Sequence, residues 1–305
     1  MEICKQRPVP TALTYMRSLN ARIELTDKQK LYCSTLEKGY TGEPLFDQLL
    51  LSNLTLNCLV LNDVLLESNN NEFQIDTFII TQTTLYQLDV KNMEGDYYLE
   101  DNKWYTFPKN DIKNPMIQLE RSETLIRQLK RELGFQLEIK PLLIFVNPGF
   151  QLYHAPPSMP IIFPSQLYRF MKKLNNLPAH LTEKHYNFAE KLLSLHLPVS
   201  KNMKIPAYTW ESTGKGMLCG TCFSLDTVVV ENKLVCRRCG GIHELDAAVI
   251  RNIEELKFLF PDLRITTKLV QEWCGVGISK KTIRRILMKN YQNLGHGKSS
   301  HFVDF

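Results

Sequence analysis

The sequence predicts an α/β fold in the first two thirds of the chain, followed by a small metal-binding ribbon and a helical C-terminal domain. The first part is predicted from the order of its elements, which is one helix, three strands, a second helix and a further strand. The ribbon is predicted from two closely spaced cysteine pairs, and the last part from amphipathic helical patterns. A chain of 305 residues is long enough for two or three such units.

The composition is that of a globular protein. Apolar residues make up 44% of the chain and charged residues 23%, which excludes wholesale disorder. No run approaches the roughly 18 apolar residues that span a bilayer, so we expect a cytoplasmic protein with no membrane partner. Four of the eight cysteines form two pairs, and the other four are scattered. This pattern indicates one metal site and free thiols in a reducing compartment.

Positive charge is concentrated at the C-terminal end. Residues 264–305 hold eight Lys or Arg against Glu272 and Asp304, a local charge of +6, whereas the whole chain carries +5. A polyanion is one partner that such a segment fits, and a solvated basic face is the other interpretation.

The pattern of prolines, glycines and cysteines suggests five segments. Pro8 and Pro10 limit regular structure near the start, and Pro206, Gly214 and Gly216 mark a linker. We therefore expect an N-terminal extension (1–35), an α/β domain (36–200), a linker (201–216), a zinc ribbon (217–245) and a basic helical domain (246–305).

Within the α/β domain, the first predicted helix covers 42–50 behind Gly42, with Glu43 at its start. Asn114 and Pro115 are a good start signal for a second helix, which should end at Gly134. The other predicted elements are strands at 58–67, 72–81, 84–92 and 139–146, a hairpin from about Tyr97 to Trp104, and helical structure over 165–195.

Three polar side chains stand on otherwise apolar strands. Asp89 and Lys91 alternate with Leu88 and Val90, so they share one face of their strand. Asp76 lies on the preceding strand and would bring a second carboxylate close to Asp89. Two buried carboxylates need a compensating cation, and a hard divalent ion such as Mg²⁺ prefers oxygen ligands. Glu43 could complete the ligand set, although exposed strand ends also carry such residues by chance.

These residues belong to a larger set that resembles one family. The set comprises Gly42-Glu43, Gln74-Ile75-Asp76, Asp89-Val90-Lys91-Asn92, Gly95, Trp104 and Asn114-Pro115-x-x-Gln118. Together they resemble the nuclease-related domain (NERD), a branch of the PD-(D/E)xK nuclease-like superfamily, over about residues 38–150.

The resemblance implies a nuclease-like α/β core, with a central mixed sheet flanked by helices, that cleaves phosphodiesters with Mg²⁺ or Mn²⁺. It makes Glu43, Asp76 and Asp89 the metal-side carboxylates, Lys91 the catalytic lysine and Gln118 an auxiliary polar residue. The branch commonly has Glu where this chain has Asp89, and the wider superfamily has either.

Two CxxC pairs predict a structural zinc site. Cys219 and Cys222 precede Cys236 and Cys239 by thirteen intervening residues, the spacing of a zinc ribbon. The residues between them suit a β-hairpin that turns at Glu231-Asn232. A module this small uses zinc in place of a core. Nucleic-acid contact through Arg237 and Arg238 is a secondary role, and His243 is expected beside the site rather than on the metal.

The C-terminal pattern is similar to a helix-turn-helix. A helix ending at Gly275 is followed by a second, capped by Ser279, which runs to about Met288. We expect residues 289–301 to form a wing, and the alternative is a helix pair with a solvated face. The polar face of the second helix would contact DNA bases or phosphates through Lys280, Lys281, Thr282, Arg284 and Arg285.

The leading hypothesis is therefore a metal-dependent nuclease that processes DNA, positioned by its zinc ribbon and helix-turn-helix segment. The main alternative is a non-catalytic DNA-binding or regulatory protein that keeps the nuclease fold as a scaffold. A third hypothesis is an interaction module whose ribbon contacts another protein.

Overall fold

The computed structural model describes residues 1–275 and 277–305, and the chain divides into two compact units. The α/β unit comprises Met1–Pro10 and Thr35–Met203. The ribbon-helix unit comprises Thr11–Ser34 and Lys204–Phe305. In the described part of the chain, no helix is both long enough and apolar enough to cross a membrane.

The α/β unit contains ten strands and four helices among its described residues. Its strands are β1 (Glu2–Lys5), β2 (Leu59–Ser68), β3 (Asn71–Ile80), β4 (Thr84–Lys91), β5 (Gly95–Glu100), β6 (Lys103–Thr106), β7 (Asn110–Ile112), β8 (Glu138–Phe145), β9 (Phe150–Tyr153) and β10 (Ile161–Ile162). Its helices are α3 (Pro115–Glu132), α4 (Leu167–Asn175), α5 (Glu183–Ser194) and the part of α2 (Asp27–Asn53) that follows Ser34.

A six-stranded mixed sheet forms the centre of this unit, in the order β1-β2-β3-β4-β8-β10. The meander β2-β3-β4 is antiparallel, whereas β1, β8 and β10 each run parallel to a neighbour. A second sheet has the order β7-β6-β5-β9. The mixed central sheet that the family resemblance implied is confirmed.

Helices cover both faces of the central sheet because its inner strands are apolar on both sides. On β4, Leu88 and Val90 pack in one cluster with Phe46 of α2 and Phe170 of α4. The opposite face holds a second cluster, in which Leu85 packs with side chains of α3 and α5. A polar side chain on such a strand is therefore held in a largely dry environment.

The N-terminal residues, which were expected to form an extension, contain a strand and a helix. β1 adds a parallel strand to the edge of the sheet by pairing with β2. α1 (Thr11–Arg22) belongs to the ribbon-helix unit, and it buries Leu13, Met16 and Leu19 completely. Those apolar residues recur at the 3-residue spacing of a helix face, which requires a partner surface.

Two predicted helices also differ. α2 begins at Asp27, so Glu43 lies inside the helix rather than at its start. The glycine that suggested a helix start is instead a point of close packing. The helical structure predicted over 165–195 is two helices, α4 and α5, separated by a segment that contains Pro178.

The ribbon-helix unit is built on a shared apolar core. Its elements after α1 are β11 (Thr227–Val230), β12 (Lys233–Cys236), β13 (Ile242–Glu244), α6 (Leu245–Leu259), α7 (Thr267–Cys274), α8 (Lys280–Asn290), β14 (Gln292–Leu294) and β15 (His301–Val303). The core joins Leu19 of α1, Leu234 of β12 and Trp273 of α7 with side chains of α6 and α8. β14 and β15 form an antiparallel hairpin after α8, where the sequence predicted a wing.

Candidate functional site

The central sheet forks where β3 and β4 separate. Their backbone pairing ends at Thr77 and Leu88. Beyond this pair β3 remains on β2, and β4 remains on β8. At the next position of β4, the Val90 N–H donates a 2.7 Å hydrogen bond to the Asp76 Oδ2 instead of to a backbone carbonyl of β3. The fork therefore fixes Asp76 by backbone geometry.

Asp89 and Lys91 share one face of β4 inside this fork. Asp89 is only 7% exposed, and its Oδ1 lies 2.5 Å from the Lys91 Nζ. This contact is an ion pair, and the buried Oδ1 has no other partner among the described residues. The carboxylates of Asp76 and Asp89 are close enough to interact electrostatically. The fork thus brings together the three strand residues that the sequence predicted.

Gly42 places α2 against the same end of the sheet. A methyl group at this position would overlap the Asn92 Cβ, so only glycine permits the observed approach. The Asn92 side chain follows β4, and it donates a 3.0 Å hydrogen bond to the Lys38 carbonyl of α2. This packing brings Glu43 close enough to Asp76 for the two carboxylates to interact electrostatically.

Arg7 is a site residue that the sequence did not reveal. Its guanidinium, with a side chain only 2% exposed, donates to Glu43 Oε2 at 2.7 Å and to both oxygens of Asp47. It also donates to the Asp76 carbonyl at 2.8 Å and to the Thr77 hydroxyl at 3.0 Å. These partners lie 36 to 70 residues away in sequence, and a lone arginine after β1 carries no local signal of them.

Burial and crowding of like charges favour the protonated forms of two carboxyls. Burial and the nearby Asp76 raise the pKa of Asp89 to about 7, although Lys91 opposes this. Burial and Asp76 also raise the pKa of Glu43 to about 8, despite Arg7. Burial by itself would lower the pKa of Lys91, but Asp89 and Asp76 outweigh it and raise that pKa. With its carboxyls ionised, the site would carry more negative charge than its own cations neutralise.

The donor set fits a hard divalent cation. Asp76 and Asp89 supply carboxylate oxygens, and among the residues that the structure describes the buried Asp89 has only the Lys91 ammonium to balance its charge. The carboxylates of Glu43, Asp76 and Asp89 are farther apart than the ligands of one compact metal site. Within residues 1–275 and 277–305, only the four paired cysteines form a set of three or more possible ligands with all ligand atoms within 4.8 Å of one another.

Gln118 is not joined to the fork. Its side chain is exposed on α3, and no hydrogen bond links it to another described side chain. The Gln118 carbonyl accepts from the Ser122 hydroxyl as part of the helix. Its auxiliary role remains a prediction.

The four paired cysteines converge as a ribbon requires. The Sγ atoms of Cys219 and Cys239 are 3.7 Å apart, and those of Cys222 and Cys236 are 3.6 Å apart. β11 and β12 form the predicted hairpin, which turns at Glu231 and Asn232. This set could hold a zinc ion in tetrahedral geometry.

His243 lies beside this cluster, with its Nε2 3.5 Å from the Cys219 Sγ. Burial raises the pKa of the Cys219 thiol, but the backbone N–H groups of Cys222 and Thr221, together with His243, outweigh it and lower the pKa to about 5. The arrangement favours the thiolate at Cys219, which is the form that ligates metal, whereas at Cys239 a backbone N–H lowers the pKa but the neighbouring cysteines outweigh it and raise that pKa to about 12.

α7 and α8 form two helices around a glycine-containing turn. Ser279 caps α8 by accepting from the Thr282 N–H at 3.1 Å, and the two hydroxyls lie 2.9 Å apart. Ile283, Ile286 and Leu287 are fully buried on the opposite face of α8. Lys280, Lys281 and Arg284 are exposed, and no ion pair joins them to other residues that the structure describes.

Arg285 differs from these three residues. Both of its terminal nitrogens bind Asp246 at the start of α6, at 2.8 and 2.6 Å. A bidentate pair of this kind competes with phosphate for the guanidinium. The sequence could not reveal it, because the two residues are 39 positions apart.

Residues 38–146 match the family model of NERD, described as the nuclease-related domain. This part of the chain therefore carries a nuclease-related domain, as its motifs indicated. No curated protein matches the chain. Protein VC1899 from Vibrio cholerae is a solved structure with some similarity: 14% identity, coverage of 55% of this chain and 50% of that chain, and a TM-score of 0.26. The match thus spans about half of that protein's length.

Proposed function

We propose that the nuclease-related domain of residues 38–146 hydrolyses phosphodiester bonds in DNA with Mg²⁺ or Mn²⁺ as its cofactor. The observation that carries the proposal is the fork in the central sheet, where the half-buried Asp76 and Lys91 meet the buried Asp89. Two carboxylates beside one lysine form an arrangement suited to holding a cation next to a phosphate.

Each residue of the fork has a role that its position supports. Asp76 and Asp89 would hold the cation, with Asp76 fixed by the Val90 N–H and Asp89 placed beside Lys91. When bound, the cation polarises the phosphate and lowers the pKa of a coordinated water. Lys91 would direct its ammonium toward the negative charge that develops on the phosphate in the transition state.

The ribbon-helix unit would hold the DNA. Lys280, Lys281 and Arg284 offer exposed positive charge on α8, and the β14-β15 hairpin follows it as a wing would. Thr282 stands in the first turn of α8, where recognition helices contact bases. Zinc in the ribbon would have a structural role.

Cleavage of labelled single-stranded and duplex DNA by the zinc-loaded chain tests the proposal. We expect Mg²⁺- or Mn²⁺-dependent cleavage that Asp76→Ala and Lys91→Ala each abolish. Asp111→Ala and Lys103→Ala, at exposed positions of the second sheet, are the matched controls and should retain cleavage. DNA binding without cleavage under every metal condition would contradict hydrolysis.

A second candidate function is a non-catalytic DNA-binding scaffold, and one observation favours it. Arg7 neutralises Glu43, a carboxylate that the family resemblance places on the metal side. In this alternative, DNA binding would depend on Lys281 and Arg284 and would be unchanged by Asp76→Ala.

A further inference from the structure

The carboxylates around the fork fall into two groups that differ in their partners. Asp76 and Asp89 face each other within the fork, and among the described residues Asp89 is paired with Lys91 alone. Glu43 and Asp47 instead face the guanidinium of Arg7, which is almost completely buried. Arg7 thus compensates the second group, whereas the first group has the single ammonium of Lys91 as its cation.

The charges of the region are consistent with this division. Five carboxylates and three cations are connected by hydrogen bonds, ion pairs or close electrostatic interaction: Glu43, Asp47, Asp63, Asp76 and Asp89, with Lys5, Arg7 and Lys91. With all eight ionised, two negative charges remain, which one divalent cation neutralises. A second divalent cation would leave an equal surplus of positive charge in a largely buried region, and burying uncompensated charge is costly.

We infer that the fork takes a single divalent cation, held by Asp76 and Asp89, and that Arg7 is a positioning residue which occupies the place of a second cation at Glu43. The inference rests on the proposed function, because it specifies how that site is loaded. A guanidinium suits this place since it stays charged at all working pH values and binds carboxylates in a planar fork.

Arg7 also controls where Asp76 lies. Its Nη2 donates to the Asp76 carbonyl at 2.8 Å and to the Thr77 hydroxyl at 3.0 Å. Thr77 in turn donates to the Asn62 side chain of β2 at 3.1 Å. A single side chain therefore links α2 to the backbone of β3 at the point where β3 and β4 separate.

Calorimetric titration of Mn²⁺ into the zinc-loaded full chain tests the inference, because zinc already fills the cysteine site. We expect one Mn²⁺ per chain. Glu43→Gln should keep that stoichiometry and change the affinity less than about threefold, whereas Asp89→Asn should weaken binding by more than about tenfold. Two Mn²⁺ ions on the unaltered chain, or loss of Mn²⁺ in Glu43→Gln, would overturn the inference.

Arg7→Gln provides the complementary measurement, with Arg7→Lys as its charge-preserving control. Loss of the guanidinium should free Glu43 and Asp47, so we expect a second Mn²⁺ in Arg7→Gln and one in Arg7→Lys. A single ion in a folded Arg7→Gln chain would refute the role of Arg7, and the Glu43→Gln result decides the matter if Arg7→Gln does not fold. Absence of Mn²⁺ from the unaltered chain is a different result, since it would contradict the proposed function itself.

Discussion

At the scale of single residues, the site depends on a carboxyl placed where its charge is costly. Asp89 is buried on an apolar strand, and burial together with Asp76 raises its pKa from 3.8 to about 7. Between these two values the folded chain holds a proton that the unfolded chain has released. The contribution of Asp89 to the free energy of unfolding therefore falls as the pH rises toward 7, when no divalent cation is added.

Asp89→Asn should remove much of this pH dependence. Because each pKa unit corresponds to about 1.4 kcal/mol, we expect the variant to be more stable than the unaltered chain by up to a few kcal/mol near pH 8. The difference should shrink as the pH falls toward 5. Urea denaturation of the zinc-loaded chain at several pH values measures it, with the exposed Asp262→Asn as control. Parallel pH profiles for Asp89→Asn and the unaltered chain would refute the argument.

Two glycines of α2 make a second prediction at this scale. A side chain at Gly42 would overlap Asn92, whereas one at Gly39 would meet nothing within 4 Å. Gly42→Ala should therefore destabilise the chain by about 1–3 kcal/mol through overpacking. Gly39→Ala should stabilise it by about 0.5–1 kcal/mol, because alanine is the better helix former. Urea denaturation of both variants measures these changes in the free energy of unfolding. Equal changes in the two variants would mean that Gly42 has no special packing role.

At the scale of elements, the ribbon depends on its four cysteines and also contributes to a larger core. Leu234 of β12 packs with α6, and the Leu218 N–H donates to the Asn252 side chain of that helix. Loss of the metal should therefore loosen α6 as well as the ribbon, because the module has little apolar core of its own.

Cys236→Ser should lose the zinc and increase hydrogen exchange in β11, β12 and the start of α6. Mass spectrometry gives the zinc content and the exchange together. Cys4→Ser, which lies outside the cluster, is the control and should keep one zinc per chain. A Cys236→Ser chain that folds normally and retains its zinc would contradict the assignment.

The exposed face of α8 gives a prediction about DNA affinity. Arg284→Ala should weaken binding and reduce the dependence of affinity on salt by roughly one counterion. Arg285→Ala should weaken it less, because Asp246 already holds that guanidinium. Fluorescence anisotropy at several salt concentrations separates the two variants. An equal loss in both would show that the Asp246 pair opens when DNA binds.

At the scale of the whole molecule, local patterns in the sequence predicted the strands, the cysteine ribbon and the paired C-terminal helices. Asp89 and Lys91 could be placed on one face because side chains alternate along a strand. The spacing of the four cysteines likewise predicts a tetrahedral metal site, because each CxxC pair can supply two ligands to one ion. What escaped prediction depends on contacts between residues that are distant in sequence.

Arg7 and α1 are the clearest examples of such distant contacts. Arg7 reaches β3 some 70 positions later. Arg22 of α1 is almost completely buried against Glu255 of α6, and it lies over the Trp273 ring with 3.8 Å between its Cζ and the ring centroid. Nothing near Arg22 in the sequence distinguishes it from a surface arginine.

The account as a whole depends on a divalent cation in the fork between β3 and β4. Anomalous diffraction from crystals of the zinc-loaded chain grown with Mn²⁺ tests this most directly, and the zinc signal of the ribbon serves as an internal control. We predict one Mn²⁺ peak in contact with carboxylate oxygens of both Asp76 and Asp89, with Arg7 still bound to Glu43. A clear zinc peak with no manganese in the fork would contradict the account.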